Sequence, residues 1–172
     1  HLSIRRQRQM CIRDSSRLYK GITVLIPEGL EFTMKNTGEE PLKMYLISEP
    51  TFPGFRPNKE ILVRDENIIP ISGTNGHWCH IVKQIFMQGK GDGLATIQSF
   101  LTVSFDPMTI AQPHSHTGTQ EEVWLMVDGN SYLMLGKQLR FQPEGKAFMV
   151  PPDGNTPHSN INTGSERVKM LY

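Results

Sequence analysis

Glycine and proline recur at short intervals along this chain, and they limit its possible folds more than any other feature. The 15 Gly and 12 Pro residues separate short apolar stretches, and no stretch of about ten residues has a convincing helical periodicity. Such punctuation is typical of strands joined by tight turns. The chain is therefore predicted to be all-β, as a sandwich or a small barrel.

The strand-like segments fall into two blocks. The first, residues 15–49, contains ITVLIPEG, an alternating LEFTMKN and an apolar LKMYLIS. The second, residues 75–172, contains IVKQIFM, ATIQSFLTVSF, MTIAQPHSH, EVWLMV, SYLMLG, AFMVPP and RVKMLY. Residues 50–74 between them are rich in proline and charge, and we expect an extended linker there.

Charge and composition exclude several classes of function. The formal net charge is +1 at pH 7, so neither a nucleic acid nor an anionic membrane is indicated as a partner. No apolar run approaches the roughly 18 residues of a membrane-spanning helix. The two cysteines, Cys11 and Cys79, cannot form a disulfide framework, and we expect a cytoplasmic location.

The start of the chain differs from the rest. Residues 1–14 have neither strand nor helix periodicity, and the stretch RQRQMCIRDS resembles translated sequencing-adaptor DNA joined to a metagenomic fragment. We therefore expect residues 1–14 to be non-native or disordered. The other end stops within a predicted strand, so we expect a fragment at both ends.

Three of the six histidines have a spacing suited to metal binding. His114 and His116 are two apart on a predicted strand, so their imidazoles share a face. A glutamate, Glu121 or Glu122, follows after a short loop, and His158 follows the PPDG turn. Three imidazoles and one carboxylate suit a divalent Fe, Mn, Zn, Ni or Cu ion. A lone His-x-His is weak support, but the combination is far more specific.

These residues resemble the two motifs of the cupin superfamily. The first motif is Gly-x5-His-x-His-x3–4-Glu-x6-Gly, and here Met108 stands in place of its leading glycine, with Gly129 at its end. The second is Gly-x5-Pro-x-Gly-x2-His-x3-Asn. Its counterparts, at slightly different spacing, are Gly145, Pro152, Gly154, His158 and Asn162. The resemblance covers about residues 95–172 and implies the cupin double-stranded β-helix, a jelly-roll barrel around the metal.

The motif spacings disagree about which glutamate is the ligand. Counting four intervening residues from His116 selects Glu121, whereas counting back six from Gly129 selects Glu122. We prefer Glu122, because alternation fixes the register of a strand whereas a loop tolerates an extra residue. Glu121 stays the alternative carboxylate.

The first block resembles a second cupin motif that lacks its ligand. PEG at 27–29 is followed by Phe32 where the histidine belongs and by Asn36 in the place of the terminal Asn. Such turns also occur by chance in β proteins. We favour a truncated bicupin in which residues 15–49 are the last strands of a metal-free barrel. Their open edge would allow two copies of the chain to form a homodimer.

Alternation from Glu122 also predicts the lining of a substrate pocket. It places Trp124 and Met126 in the barrel interior. The other residues expected at the pocket are Gln112, Gln120, Tyr132 and Phe148.

The run NGHWCH at 75–80 is a second candidate cluster. On a strand, His77 and Cys79 would share one face and His80 the other, so the three side chains would not converge. We therefore expect a connector anchored by Trp78 rather than a metal site.

The cupin resemblance implies a metal-dependent enzyme acting on a small polar molecule such as a sugar, hydroxy acid or dicarbonyl. The chemistry would be Lewis-acid or dioxygen chemistry. Cupins with this ligand set include dioxygenases, isomerases, lyases and decarboxylases, so the reaction stays open. The alternative is a non-catalytic module that binds metal or a small ligand. No catalytic group beyond the metal centre is identified.

Overall fold

The computed structural model describes residues 2–6, 15–73, 77–116 and 118–172. These residues contain strands and one short 3-10 turn, Gln88–Lys90, but no α-helix. This confirms the prediction of an all-β chain. The strands are β1 Leu2–Arg6, β2 Ser15–Leu18, β3 Ile22–Leu25, β4 Phe32–Asn36, β5 Leu62–Asp65, β6 His80–Met87, β7 Ser99–Phe105, β8 Thr109–Ile110, β9 Glu122–Asp128, β10 Ser131–Leu135, β11 Gln138–Gln142, β12 Ala147–Val150, β13 His158–Asn162 and β14 Val168–Leu171.

Residues 1 and 7–14 lie outside the described residues, and β1 is the only part of the first 14 residues that is described. The hypothesis that residues 1–14 are non-native therefore stays a prediction. In the described part of the chain, no helix is long and apolar enough to cross a membrane.

The first of two compact units consists of His1–Ile69 and Phe86–Gln98. It contains a three-stranded sheet in the order β2-β1-β4 and a two-stranded sheet of β3 and β5, with antiparallel pairing in both. One hydrophobic cluster in this unit is centred on the buried Leu18, on which three partly buried side chains pack, those of Ile22, Val24 and Ile61.

Two segments of this unit differ from the sequence prediction. LKMYLIS was predicted to be a strand, and this is wrong: residues 37–61 form no strand, and Leu46 is 86% exposed. A strand needs a neighbour for its backbone groups, and among the described residues none pairs with this segment. Conversely, β5 lies inside the expected linker and pairs with β3. The division at residues 49 and 74 into barrel end, linker and second barrel stays a prediction.

The second unit consists of Pro70–Ile85 and Ser99–Tyr172. It contains a four-stranded sheet in the order β11-β10-β13-β8 and a five-stranded sheet in the order β12-β9-β14-β7-β6. The chain leaves one sheet for the other several times: β9 pairs with β12 and β14, while the intervening β10 pairs with β11 and β13. Two sheets connected in this way form a jelly roll.

The core of this unit follows strand alternation. In β9, Glu122, Trp124 and Met126 are buried, and the residues between them are more exposed. The rings of Trp124 on β9 and His158 on β13 have centroids 5.2 Å apart. The inner faces of the two sheets therefore meet at the place where the predicted ligands lie.

Candidate metal centre

The β8 and β13 strands position two of the histidines. After β8, His114 forms an isolated antiparallel bridge with His158, the first residue of β13. The His114 N–H donates to His158 O at 3.2 Å, and the His158 N–H donates to His114 O at 2.8 Å. Residues opposed in this way direct their side chains to the same face of a sheet. Two imidazoles that are far apart in sequence thereby become neighbours.

The Pro-x-Gly turn holds the loop that carries His116. Gly154 has φ 71°, and a Cβ there would lie 2.8 Å from Gly118 N and 3.2 Å from His116 O. Only glycine allows this close approach at little cost. The carboxylate of Asp153 closes the same turn, accepting hydrogen bonds from the backbone N–H groups of Asn155 and Thr156, each at 2.8 Å. The motif glycine thus packs the turn before β13 against the His116 loop.

Glu122 approaches from the other sheet. It is the first residue of β9, is opposed by Val150 of β12, and is buried, while Glu121 is exposed. The register counted back from Gly129, which places Glu122 on the inner face of β9, therefore agrees with the burial of Glu122 and the exposure of Glu121. His116 Nε2 contacts Glu122 Oε1, and His158 Nε2 lies 3.4 Å from Glu122 Oε2.

The ligand atoms of His114, His116, Glu122 and His158 all lie within 4.8 Å of one another. His114 Nε2 is 3.2 Å from His116 Nε2 and 3.1 Å from His158 Nε2. A metal–nitrogen bond of about 2.1 Å separates neighbouring ligands by about 3.0 to 3.4 Å in octahedral or tetrahedral geometry. Both separations from His114 Nε2 lie within this range, as expected for imidazoles that bind one metal ion.

Backbone carbonyls fix which nitrogen carries the proton. His114 Nδ1 lies 2.9 Å from Gln112 O, and His158 Nδ1 lies 3.1 Å from Thr156 O. A carbonyl only accepts, so each Nδ1 must donate, and each neutral ring directs an Nε2 lone pair into the cluster. Two lone pairs facing each other repel unless a cation lies between them. Carbonyl-oriented imidazoles of this kind are typical of metal ligands.

The protonation states of His114 and Glu122 also favour metal binding. Burial lowers the pKa of His114, so its imidazole stays neutral at lower pH than a free one. Burial alone would raise the pKa of Glu122, but the facing His158 imidazole and the Tyr172 hydroxyl outweigh burial and lower it. A neutral imidazole and an ionised carboxylate are the forms that bind a metal.

Tyr172 is a residue at this site that the sequence interpretation missed. Its hydroxyl donates to Glu122 Oε1, and burial followed by the Glu122 charge raises its pKa, so it keeps the proton. A signal was present in the sequence. Alternation along β14 puts residues 168, 170 and 172 on one face, and Val168 and Met170 are buried.

The expectation for the run at 75–80 is partly wrong. Residues 77–79 form a turn in which Cys79 has φ 67°, so strand alternation does not apply to them. The rings of His77 and His80 stack with centroids 5.3 Å apart, and His77 Nε2 lies 2.7 Å from His114 Nε2. Cys79 is exposed. The expected anchor is present, because Trp78 Nε1 donates to Ile110 O at 3.1 Å.

The residues expected to line a pocket occupy different environments. Trp124 and Met126 are buried in the interior, and Phe148 lies opposite Trp124 on β12. Tyr132 is partly buried and packs on Phe141, with centroids 5.3 Å apart. Two side chains are exposed, those of Gln112 and Gln120. A role of these six residues in substrate binding stays a prediction.

Asn160 is a second residue that the sequence interpretation missed. It is fully buried, and neither Oδ1 nor Nδ2 has a hydrogen-bond partner among the described residues. It shares a face of β13 with His158, two residues away. Trp124 Nε1 is likewise buried without such a partner. Buried polar groups are normally bonded, so these two side chains are exceptions among the described residues.

Comparison with known proteins gives a family for this unit. Residues 101–172 match the family model described as the cupin domain. A Thermotoga maritima protein described as a predicted oxalate decarboxylase is similar in structure, with 17% identity, a TM-score of 0.51, and coverage of 61% of this chain and 90% of that one. KdgF from a Halomonas species has 20% identity and a TM-score of 0.42, with coverage of 55% and 79%.

A sugar phosphate isomerase from Silicibacter pomeroyi has 16% identity and a TM-score of 0.45, with coverage of 54% of this chain and 57% of that one. None of the curated proteins matches the sequence. The likeness to the Thermotoga maritima protein, at 17% identity, supports the fold alone. The family match covers residues that include all four predicted ligands. Residues 101–172 therefore form a cupin domain.

Proposed function

We propose that His114, His116, Glu122 and His158 bind one divalent transition-metal ion. The observation that carries this proposal is the convergence of their four ligand atoms within 4.8 Å. The donor set of three imidazoles and one carboxylate suits Fe, Mn, Zn, Ni or Cu. Glu121 is exposed, whereas Glu122 is buried within the cluster, so the proposal assigns the carboxylate to Glu122.

We further propose that the domain is a metal-dependent enzyme acting on a small polar molecule, such as a sugar, a hydroxy acid or a dicarbonyl. The bound ion would supply Lewis-acid or dioxygen chemistry. The surrounding residues orient the ligands. Gln112 O and Thr156 O keep the imidazoles of His114 and His158 in the tautomer that can bind a metal, and Tyr172 orients the Glu122 carboxylate.

A polar substrate is supported by the unpaired groups in the interior. The Asn160 amide offers an acceptor oxygen and two N–H donors, and the Trp124 indole offers one donor, all buried and without partners in the described residues. A ligand that hydrogen-bonds to them would remove the cost of leaving them unpaired, which is about 1–3 kcal/mol for each group. A purely apolar ligand would leave that cost in place.

The alternative is a non-catalytic domain that holds a metal or a small ligand without chemistry. The same unpaired groups suit either case, so the two functions are separated by turnover rather than by binding. Sustained conversion or oxygen uptake by metal-loaded protein, over a panel of sugars, hydroxy acids and dicarbonyls, would favour the enzyme. A ligand that co-purifies unchanged, without turnover, would favour the binding module.

Elemental analysis of anaerobically purified protein tests the metal centre. We expect about one transition-metal ion per chain, and the element found would indicate the chemistry: iron favours dioxygen chemistry, and zinc, manganese or nickel favours Lewis-acid chemistry. A metal content near zero, with no uptake when each ion is added to the folded protein, would contradict the proposal.

Adjacent glutamates offer a matched pair of variants. Glu122→Gln should lose most of the metal, because an amide is a much weaker ligand than a carboxylate, whereas Glu121→Gln should keep it. Both changes remove one negative charge at neighbouring positions, so a general charge effect would act on both. The reverse result, with metal lost only from Glu121→Gln, would make the Glu122 assignment wrong.

A further inference from the structure

A fourth histidine lies against the cluster, outside the residues that either motif supplies. His77 Nε2 is 2.7 Å from His114 Nε2, and the two rings meet nearly edge to face, with centroids 4.2 Å apart and planes at 70°. His77 comes from the turn before β6, in the same compact unit as the other ligands. His114 Nε2 therefore has three other imidazole nitrogens within 3.2 Å, those of His77, His116 and His158.

The protonation of His114 limits what His77 can do there. Because His114 Nδ1 donates to Gln112 O, its Nε2 has only a lone pair to offer. Once that lone pair binds a metal, it can no longer accept a hydrogen bond from His77. His77 Nε2, at 2.7 Å from His114 Nε2, is close enough for its own lone pair to be directed to the same ion after a small movement of the ring.

We infer that His77 is a fifth protein ligand of the metal held by His114, His116, Glu122 and His158. This inference rests on the proposed metal centre. It assigns the ion four imidazoles and one carboxylate, a set suited to transition metals that accept five or six ligands. One position of a six-coordinate ion would then be left for a small molecule.

His77 is held differently from the other ligands. It stands outside the group whose ligand atoms lie within 4.8 Å of one another, so its ring must move to reach a shared ion. It lies in a turn rather than on a paired strand, and it stacks on the buried His80. Its neighbour Trp78 anchors the turn to Ile110 O. We therefore infer that His77 is the exchangeable ligand, and that a molecule binding through two oxygens would displace it.

Cobalt binding tests this inference without requiring an activity. Metal-free protein is titrated with Co(II) in competition with a chelator, for wild type, His77→Ala, Trp78→Phe and His158→Ala. We expect His77→Ala to weaken Co(II) binding by about 10–100-fold, the range seen when groups supporting a metal site are removed. His158→Ala should weaken it more. Trp78→Phe removes the hydrogen bond to Ile110 O but no imidazole, and it should bind nearly as tightly as wild type.

X-ray absorption of the cobalt-loaded proteins counts the imidazoles at the ion. We expect four in wild type and three in His77→Ala. Equal affinity and an equal imidazole count in wild type and His77→Ala would overturn the inference while leaving the metal centre intact. An equal loss of affinity in Trp78→Phe and His77→Ala would also overturn it, since the placement of the turn would then be the cause. If His158→Ala bound Co(II) as wild type does, the metal centre itself would be wrong.

Discussion

Two asparagines on one face of β13 should respond to the same substitution in opposite directions. Asn160 is fully buried, and its amide has no partner among the described residues. Asn162 is also buried, but its Nδ2 donates to Asp106 O at 3.0 Å and to Glu166 O at 2.8 Å, and its Oδ1 accepts from Gly164 N–H at 3.0 Å. Leucine has the same branching at Cγ and no polar atoms, so each Asn→Leu change removes the amide and keeps its outline.

Asn160→Leu should stabilise the metal-free protein by about 1–2 kcal/mol, because it removes a buried amide that folding leaves unpaired. Asn162→Leu should destabilise it by about 2–4 kcal/mol, because two carbonyls and one N–H lose their partner. For a chain of this size, the melting temperature moves by about 2–4 °C per kcal/mol. The two variants should therefore melt on opposite sides of wild type.

Urea unfolding of the metal-free proteins, followed by tryptophan fluorescence, measures both changes. The expectation requires an unchanged dependence on urea concentration, so that the midpoint reports stability alone. A loss of stability in Asn160→Leu as large as that in Asn162→Leu would refute the reasoning, since the Asn160 amide would then be bonded in the folded protein. Stabilisation by Asn160→Leu would be typical of a group kept for ligand binding at a cost to the fold.

Three further predictions concern the surroundings of the metal. Tyr172→Phe should weaken metal binding by about 10–100-fold, since the Glu122 carboxylate loses the hydroxyl that orients it; unchanged affinity in a chelator competition would contradict this. Burial, together with the neighbouring His77 and His114, lowers the pKa of His80 from 6.5 to about 4. Between about pH 4 and pH 6.5, the unfolded chain therefore binds a proton at His80 that the folded chain does not. The free energy of unfolding of the metal-free protein should consequently fall by about 2 kcal/mol between pH 7 and pH 5 because of this group. His80→Phe should lose less over that range in urea unfolding, and an identical pH dependence would make this assignment wrong. Metal occupancy should fall below about pH 6, because each imidazole must be neutral to bind; full occupancy at about pH 4.5, measured after dialysis, would exclude ligation by three histidines.

Much of the second unit could be predicted from local patterns. A strand buries alternate residues, so EVWLMV places Glu122, Trp124 and Met126 inside and leaves Glu121 outside, as the structure has them. Gly154 and His158 were identified from motif spacing, because the turn needs a residue without a Cβ and the strand after it begins at the histidine. Local patterns suffice here because each feature depends on residues close in sequence.

Strand prediction from local patterns gave a wrong result at two segments where the chain does not form a paired, extended strand. LKMYLIS has the composition of a strand, but a strand also needs a partner for its backbone groups, and in the described residues no neighbour supplies one. Residues 77–79 form a turn with a positive φ at Cys79. The prediction that His77 and His80 lie on opposite faces of an extended strand was therefore wrong. A local sequence pattern shows neither whether a strand has a pairing partner nor whether the backbone turns at a given residue.

The sequence by itself predicted the class of fold, the three histidines His114, His116 and His158, and a carboxylate at Glu122 with Glu121 as the alternative, because turn residues, strand period and motif spacing are all local. Only the tertiary structure decided what surrounds them. Tyr172 reaches Glu122 from 50 positions away, His77 reaches His114 from 37, and the unpaired amide of Asn160 is visible only when every neighbour is in place. Contacts between distant segments follow from strand pairing within each sheet and from the packing of one sheet on the other. A linear sequence records neither.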